Sequence, residues 1–177
     1  MTIYVARHGQ TEWNEKNKVC CITDIALTEK GIAQADELAD QVKDKDIEMI
    51  ISSPMKRAVA TSQIVSDKCH VPMTTDDRLV EQNYGIYEGA DRSDKRFLAN
   101  KRNFAYRYPN GESMMQVAVR VYTFLDEIKR QYDGKNVLIV SHGGVCRIIK
   151  TYFSDMTNEE FFNYTLPNCK LEQYHIS

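Results

Sequence analysis

The chain lacks the features that would divide it or carry it into a membrane. Its 177 residues contain 4 prolines and 8 glycines, with no Pro/Gly/Ser-rich stretch between one half and the other. With 42% hydrophobic residues, the expectation is one domain over residues 1–177 around a substantial core. No apolar run approaches the roughly 20 residues of a membrane-spanning helix. The apolar start, Ile3 to Ala6, passes straight into Arg7 without the basic leader and long apolar segment of a secretory signal. A cytoplasmic protein with no membrane partner is expected. Excess positive charge is also missing: the formal net charge is -2, which gives no overall field to recommend nucleic acid as a partner. Cysteines are present, but Cys20, Cys21, Cys69, Cys146 and Cys169 lack the paired spacing of a zinc site or a disulfide framework. They read as free thiols. Nothing in the sequence assigns an oligomeric state.

Several phosphate-handling signatures are absent as well. None of the five cysteines has Arg at the sixth position after it, no Gly-rich loop ends in Lys-Ser or Lys-Thr, and Asp44-Lys45-Asp46 does not follow an apolar strand. Four well-separated histidines and no dense carboxylate cluster offer no two-metal site, so neither metal nor cofactor is expected.

What is present begins at the amino terminus. The run Ile3-Tyr4-Val5-Ala6 feeds Arg7-His8-Gly9-Gln10-Thr11-Glu12-Trp13-Asn14, placing Arg7 and His8 at the carboxyl end of a strand, where open α/β sheets keep their ligand crevice. A neutral imidazole is a competent nucleophile, and a guanidinium offers a rigid fork to phosphate oxygens. One such pair is more often an ordinary strand-end histidine beside a solvated arginine. Here the arrangement recurs: Val137-Leu138-Ile139-Val140 runs into Ser141-His142-Gly143-Gly144.

Between these strands the pattern alternates. Thr28 reads as an N-cap for a helix with Ile32, Ala35, Leu38, Ala39 and Val42 on one face, and Ile47 to Ile51 returns as a buried strand. Pro54 is placed at the start of a second helix running from Met55 through Val65, with Arg57 in its first turn. Ser113 reads as the N-cap of a long helix carrying Val117, Val121, Phe124, Leu125 and Ile128, closed by Gly134. A short helix from Asn158 to Tyr164 and a strand from Lys170 to His175 complete the chain. The predicted fold is α/β, a three-layer α/β/α sandwich on a mostly parallel sheet.

Residues 88–111 break the rhythm and read as an inserted cap. Arg92, Lys95, Arg96, Lys101, Arg102 and Arg107 stand among Phe97, Phe104, Tyr106 and Tyr108. Basic groups over a sheet end attract phosphorylated substrates, while a solvated amphipathic helix explains most of the six charges equally well.

Phosphoryl transfer needs an in-line nucleophile, donors around the equatorial oxygens, and a proton for the leaving oxygen. His8 is the candidate nucleophile, with Arg7, Arg57 and His142 as donors; Glu12, Glu81, Glu88 and Glu112 are the candidate acids. An anion in the pocket is expected to raise the pKa of His142 toward its protonated, donating form. Thr11 offers either a hydroxyl donor or a cap to the loop, and Asn14 either an amide donor or a turn residue.

Taken together, Arg7-His8-Gly9, Asn14, Asp24 with Leu27 to Gly31, Ser52 to Ala58, Leu79-Val80-Glu81, Gly85 with Glu88-Gly89, Pro109 with Gly111-Glu112-Ser113, and Ser141-His142-Gly143 resemble, in this order, the histidine phosphatase superfamily of phosphoglycerate mutase-like proteins. The resemblance implies catalysis by His8 and Glu81, the latter as general acid and then general base. It implies phosphate or substrate contact by Arg7, Asn14, Arg57, Tyr84, His142, Gly143 and the loop at Cys20 and Cys21. Its function would be a phosphomonoesterase acting on a small phosphorylated molecule through a phosphohistidine. The alternatives are a cofactor-dependent phosphoglycerate mutase and a non-catalytic phosphate-binding regulator. One departure stands out: where many relatives have Gln-Gly or Thr-Gly, this chain has Cys20-Cys21, and a proline before Leu27 is replaced by Ala26.

Overall fold

The computed structural model describes residues 1–176. Strand β1 (Thr2–Arg7) leads into the short helix α1 (Glu12–Glu15) and then α2 (Glu29–Val42). Strand β2 (Met49–Ser52), helix α3 (Lys56–Cys69) and strand β3 (Met73–Thr75) follow, then the cap helix α4 (Lys95–Lys101) and the long helix α5 (Met114–Gln131). Strand β4 (Asn136–Ser141), helices α6 (Gly143–Phe153) and α7 (Asn158–Asn163), and strand β5 (Leu171–His175) end the chain. The sheet order is β3-β2-β4-β1-β5, parallel except for β5, which runs antiparallel along β1.

Period-2 alternation sorts the strand residues between two cores. Ile3, Val5, Ile51, Val137 and Ile139 pack with Val117, Val121, Phe124, Leu125 and Ile128 of α5 and with α6. Tyr4, Ala6, Ile50, Leu138 and Val140 pack with Ala35, Leu38, Ala39 and Val42 of α2 and with α3. Sheet strands buried on both faces read as continuous apolar runs, as β1 and β4 do. The layers are therefore helix, sheet, helix. Strand β1 sends its chain to α2 on one face and β4 sends its chain to α6 on the other, so the two neighbours diverge at their carboxyl ends and open a crevice there.

Expected caps hold at Thr28, whose hydroxyl accepts from Gly31 N–H, and at Ser113, which forms a reciprocal capping box with Gln116. Two local readings change. Helix α3 starts at Lys56, with Pro54 ahead of the N-cap Met55; Met55 offers no capping side chain, and Asp24 Oδ1 takes the Lys56 N–H at 2.7 Å instead. Ile32 is 51% exposed rather than part of the α2 core stripe, because Gly31 takes the inward position against the loop after β1.

That contact is close. A Cβ on Gly31 would lie 2.2 Å from the Gln10 carbonyl oxygen, and one on Gly9 2.4 Å from the Gly31 carbonyl oxygen, so the two glycines let α2 press against the loop after β1. Gly31→Ala should cost about 1–3 kcal/mol through overpacking against backbone. Gly134→Ala, where φ is +75° and nothing lies within 4 Å, should cost only about 1 kcal/mol, through backbone strain alone. Urea unfolding midpoints of the two variants give the comparison; equal losses would contradict the close packing.

Candidate active site

Parallel register sets Arg7 opposite Ser141, and the ladder continues with His8 N–H donating to the Ser141 carbonyl at 2.9 Å. The residues that follow, His8 and His142, are thereby brought together with ring centroids 5.1 Å apart. Both are buried, His8 keeping 3% of its surface and His142 none.

The His8 ring is oriented by its own backbone. Nδ1 lies 2.7 Å from the Gly9 carbonyl oxygen, which can only accept, so Nδ1 carries the proton and Nε2 keeps a lone pair. Gly9 N–H is held by Thr61 Oγ1, which donates to the Arg57 carbonyl in turn. Burial, and then the positive charges of Arg7 and Arg57, push the His8 pKa well below its ordinary value. His8 is a neutral imidazole at pH 7.

Around His142 the geometry sets the tautomer. Arg57 Nε–H donates to Nδ1 at 3.2 Å, which leaves Nε2 as the protonated nitrogen, donating to Ser53 Oγ at 2.7 Å. Protonating Nδ1 would set two donors face to face. Burial and the Arg57 charge lower the His142 pKa well below its ordinary value. Both ring nitrogens have partners within the protein.

Arg57 is 1% exposed and works as a hub. Besides His142, its Nη1 and Nη2 donate to the Thr23 and Cys21 carbonyls at 3.0 Å each. Three of its five N–H groups are thus used internally. The same loop is fastened from the other side by the Glu88 carboxylate, which accepts from Cys21 N–H at 3.0 Å, Thr23 N–H at 2.8 Å and the Cys21 thiol. Burial and this carboxylate push the Cys21 thiol up to about 12. Cys20 and Cys21, like His8, Arg57 and His142, line neither of the cleft's two cavities, and their loop meets Arg57 through its carbonyls.

The cleft has an inner and an outer part. The inner cavity, about 60 Å³, is lined by Arg7, Glu81, Tyr84, Arg92, Lys101, Gly143, Gly144 and Arg147 among others. The outer one, about 350 Å³, shares Arg7, Arg92 and Lys101 and adds Asn14, Asn17 and Asn168. Arg7 lies in both. Its Nη1 donates to the Leu166 carbonyl at 3.2 Å, while its Nε is buried without a partner. Asn14 takes the cap role. Its Oδ1 closes a capping box with Thr11 at the start of α1, Thr11 being the cap, and its amide N–H₂ remains for a ligand.

Of the four candidate acids, only Glu81 lines the inner cavity. Its oxygens accept from Gln82 N–H at 2.8 Å and from Gly144 N–H, at the amino terminus of α6, at 3.1 Å. Glu12 is paired with Lys16 in solvent, Glu112 is bound to Arg120 and Asn83 N–H, and Glu88 clamps the Cys21 loop. Arg78 is paired with Asp76 and Glu127, and Glu81 makes no ion pair among the described residues. Tyr84 is 7% exposed and stands beside Gly144, and burial with the Glu81 charge raises its pKa.

The cap carries a small core of its own, Phe97 and Tyr108 packed with Val19, Cys21 and Tyr84. Two of its six basic residues, Arg92 and Lys101, turn into the cleft; Lys95, Arg96, Arg102 and Arg107 are exposed. Three site residues went unread in the sequence. Ser53 sits in a motif that was matched only as a whole. Gly144 looked like a companion of Gly143, yet a Cβ there would come within 2.5 Å of Glu81 Oε1. Arg147 carried a signal: a charge on the otherwise apolar buried face of α6.

Both histidines are neutral when folded and titrate near 6.5 when unfolded, so their contribution to stability is complete above that pH and is lost as pH falls toward their lower folded values. In phosphate-free buffer the unfolding free energy should fall below pH 6.5 by as much as about 2.7 kcal/mol per pH unit for the two together. Urea titrations at pH 7.5, 6.0 and 5.5 measure it, and a flat profile would contradict neutral burial.

The model of the histidine phosphatase superfamily (branch 1) matches residues 3–177. The chain is 34% identical over 152 residues to the uncharacterized phosphatase PhoE of Bacillus subtilis, covering 86% of this chain and 77% of that protein. It is 32% identical to a probable phosphoglycerate mutase GpmB of Yersinia pestis, covering 98% and 84%. Its fold superposes on the solved structure of Bacillus stearothermophilus YhfR with a TM-score of 0.88 at 26% identity, over 99% of this chain and 91% of that one. With its two strand-end histidines over one crevice, the chain belongs to the histidine phosphatase superfamily.

Proposed function

We propose that the protein is a metal-independent phosphomonoesterase that hydrolyses small phosphorylated molecules through a phosphohistidine on His8. The observation that carries this reading is the His8 ring itself: Nδ1–H is tied to the Gly9 carbonyl and Nε2 is left as a neutral lone pair beside the Arg7 guanidinium, whose Nε lacks a partner. Free thiols at all five cysteines fit a cytoplasmic location. No helix among the described residues is long and apolar enough to cross a membrane.

Nε2 of His8 attacks phosphorus in line as the bond to the leaving oxygen breaks, giving phosphohistidine and an alcohol. Arg7 Nε–H, the Asn14 amide, the two remaining Arg57 N–H groups and the positive end of α6 at Gly143 receive the phosphoryl oxygens. Buried guanidinium donors act there in low dielectric, where a single oxyanion donor is worth about 3–4 kcal/mol. His142, neutral, holds Arg57 in place through Nδ1. Glu81 protonates the leaving oxygen in the first step and takes a proton from the attacking water in the second, which releases inorganic phosphate. Water is the acceptor because the outer cleft, beside Arg7 and Asn14, opens to solvent.

Inorganic phosphate release from an aryl phosphate should drop about 1,000-fold or more in His8→Ala. Glu81→Gln should lose about 100- to 10,000-fold on an alkyl phosphate and much less on a nitrophenyl phosphate, whose leaving group needs no proton. Equal background rates for wild type and His8→Ala would leave the non-catalytic binding protein as the better account. Equal Glu81→Gln losses on the two leaving groups would remove Glu81 as the acid.

A further inference from the structure

We propose that Asn168, in the turn between α7 and β5, is a positioning residue for His8: its amide holds the nucleophile's own peptide group in place and engages the oxygen of Asn14. The role rests on the phosphatase reading, since the step it serves is phosphoryl transfer to His8.

Strand pairing runs out where the chemistry begins. β1 pairs with β4 as far as Arg7 and Ser141, and His8 N–H still reaches the Ser141 carbonyl, but the His8 carbonyl lies beyond the ladder. A backbone oxygen there needs another partner. Asn168 Nδ2 donates to it at 2.7 Å. At the opposite edge of the same peptide unit, Gly9 N–H donates to Thr61 Oγ1 at 3.0 Å. The His8–Gly9 peptide plane is therefore gripped from both sides. That grip matters because Gly9 has no side chain to limit its dihedrals, and its carbonyl is the group that accepts from His8 Nδ1 at 2.7 Å. If the plane tilts, the Gly9 carbonyl moves with it, and the imidazole loses its fixed direction.

Asn168 has a second contact of the same kind. Its Nδ2 also donates to Asn14 Oδ1 at 3.4 Å, an oxygen that already accepts from Thr11 N–H at 3.1 Å. With its oxygen engaged twice, Asn14 keeps its N–H₂ as the group left for a phosphoryl oxygen. Both asparagines line the outer cavity. The turn that presents Asn168 is itself fastened to the end of β1: Cys169 N–H donates to the Arg7 carbonyl at 2.9 Å, and the Leu166 carbonyl accepts from Arg7 Nη1 at 3.2 Å. Cys169 has φ +53°, a left-handed backbone that a side chain disfavours. Such strain persists where the surrounding structure fixes it, and it clusters at functional sites. On the far side, the Tyr164 hydroxyl donates to Glu172 Oε2 at 2.7 Å and Lys150 pairs with Glu172 Oε1 at 3.1 Å. The segment is closed on itself and on α6, so Asn168 is offered from a fixed base.

Two variants test the role. Asn168→Leu keeps the size of the side chain and removes the donor, whereas Asn168→Ala removes both. Each should lower kcat on a nitrophenyl phosphate about 10- to 100-fold, the scale of a misplaced reacting atom, and leave the inhibition constant of inorganic phosphate within about 3-fold. Vanadate, which mimics the trigonal-bipyramidal transition state only against an aligned nucleophile, should weaken in step with kcat. Wild-type kcat in Asn168→Leu would reduce Asn168 to a space filler, and equal weakening of phosphate and vanadate would make it a binding residue; either overturns the assignment. Thermal unfolding reports whether Asn168→Leu folds; if it does not, Asn168→Ala decides by the same ratio. A measurement independent of turnover is the His8 Nδ1–H signal in the proton NMR spectrum, identified by its loss in His8→Ala. It should exchange with water at least about 10-fold faster in the Asn168 variants. Faster exchange in a protein that shows no turnover as wild type would sink the phosphatase and keep the positioning role. Wild-type turnover with kcat and exchange unchanged in both variants would do the reverse.

Discussion

Everything at the cleft depends on one strand pairing. β1 and β4 lie parallel in the register that sets Arg7 against Ser141, so the next residues, His8 and His142, leave the sheet side by side. Strand side chains alternate with a period of two, and a slip of one residue would turn His8 away from His142 and expose half of each core face. Hydrophobic sorting into two cores prevents that slip: Ile3 and Val5 belong to the layer of α5, Tyr4 and Ala6 to that of α2. The chemistry is thus positioned by apolar packing that never touches it.

Buried positive charge is the second theme, and the protein handles it in two ways. Arg57 is satisfied internally, by His142 and by the carbonyls of a loop that Glu88 holds from behind, so its guanidinium is already oriented. Arg7 and Arg147 are left partly unanswered. Preorganised donors cost nothing further at the moment of reaction, whereas unsatisfied ones reward whatever anion arrives. The neutral state of both histidines follows first from burial and then from the same field, since neighbouring guanidinium groups disfavour another cation. His8 thereby keeps the lone pair that a nucleophile needs.

Most of this was legible in the chain because the signals are local. Two apolar runs ending in His-Gly, caps at Thr28 and Ser113, and periodic faces on α2 and α5 each follow from neighbouring residues. Long-range partners were not legible. Nothing around Pro54 shows that Asp24, thirty-two residues earlier, supplies the cap that starts α3. Nor does the spacing of Cys20 and Cys21 show that Glu88 turns a thiol inward and leaves carbonyls for Arg57. The cap broke the rhythm of the sequence because Phe97 and Tyr108 find their core with residues from distant segments. Arg147 was the readable signal left unread, a charge within the apolar run Val145 to Ile149.

The central claim is that phosphorus passes through the His8 ring on its way to water. Rapid quenching into alkali during turnover, where a phosphohistidine survives, followed by peptide mass mapping, tests it most directly. The account predicts one added phosphoryl group on the peptide containing His8, absent when Glu81 and substrate are intact but His8 is Ala. Turnover at the normal rate with no phosphorylated His8 peptide at any quench time, or with the phosphoryl group on another residue, would contradict it.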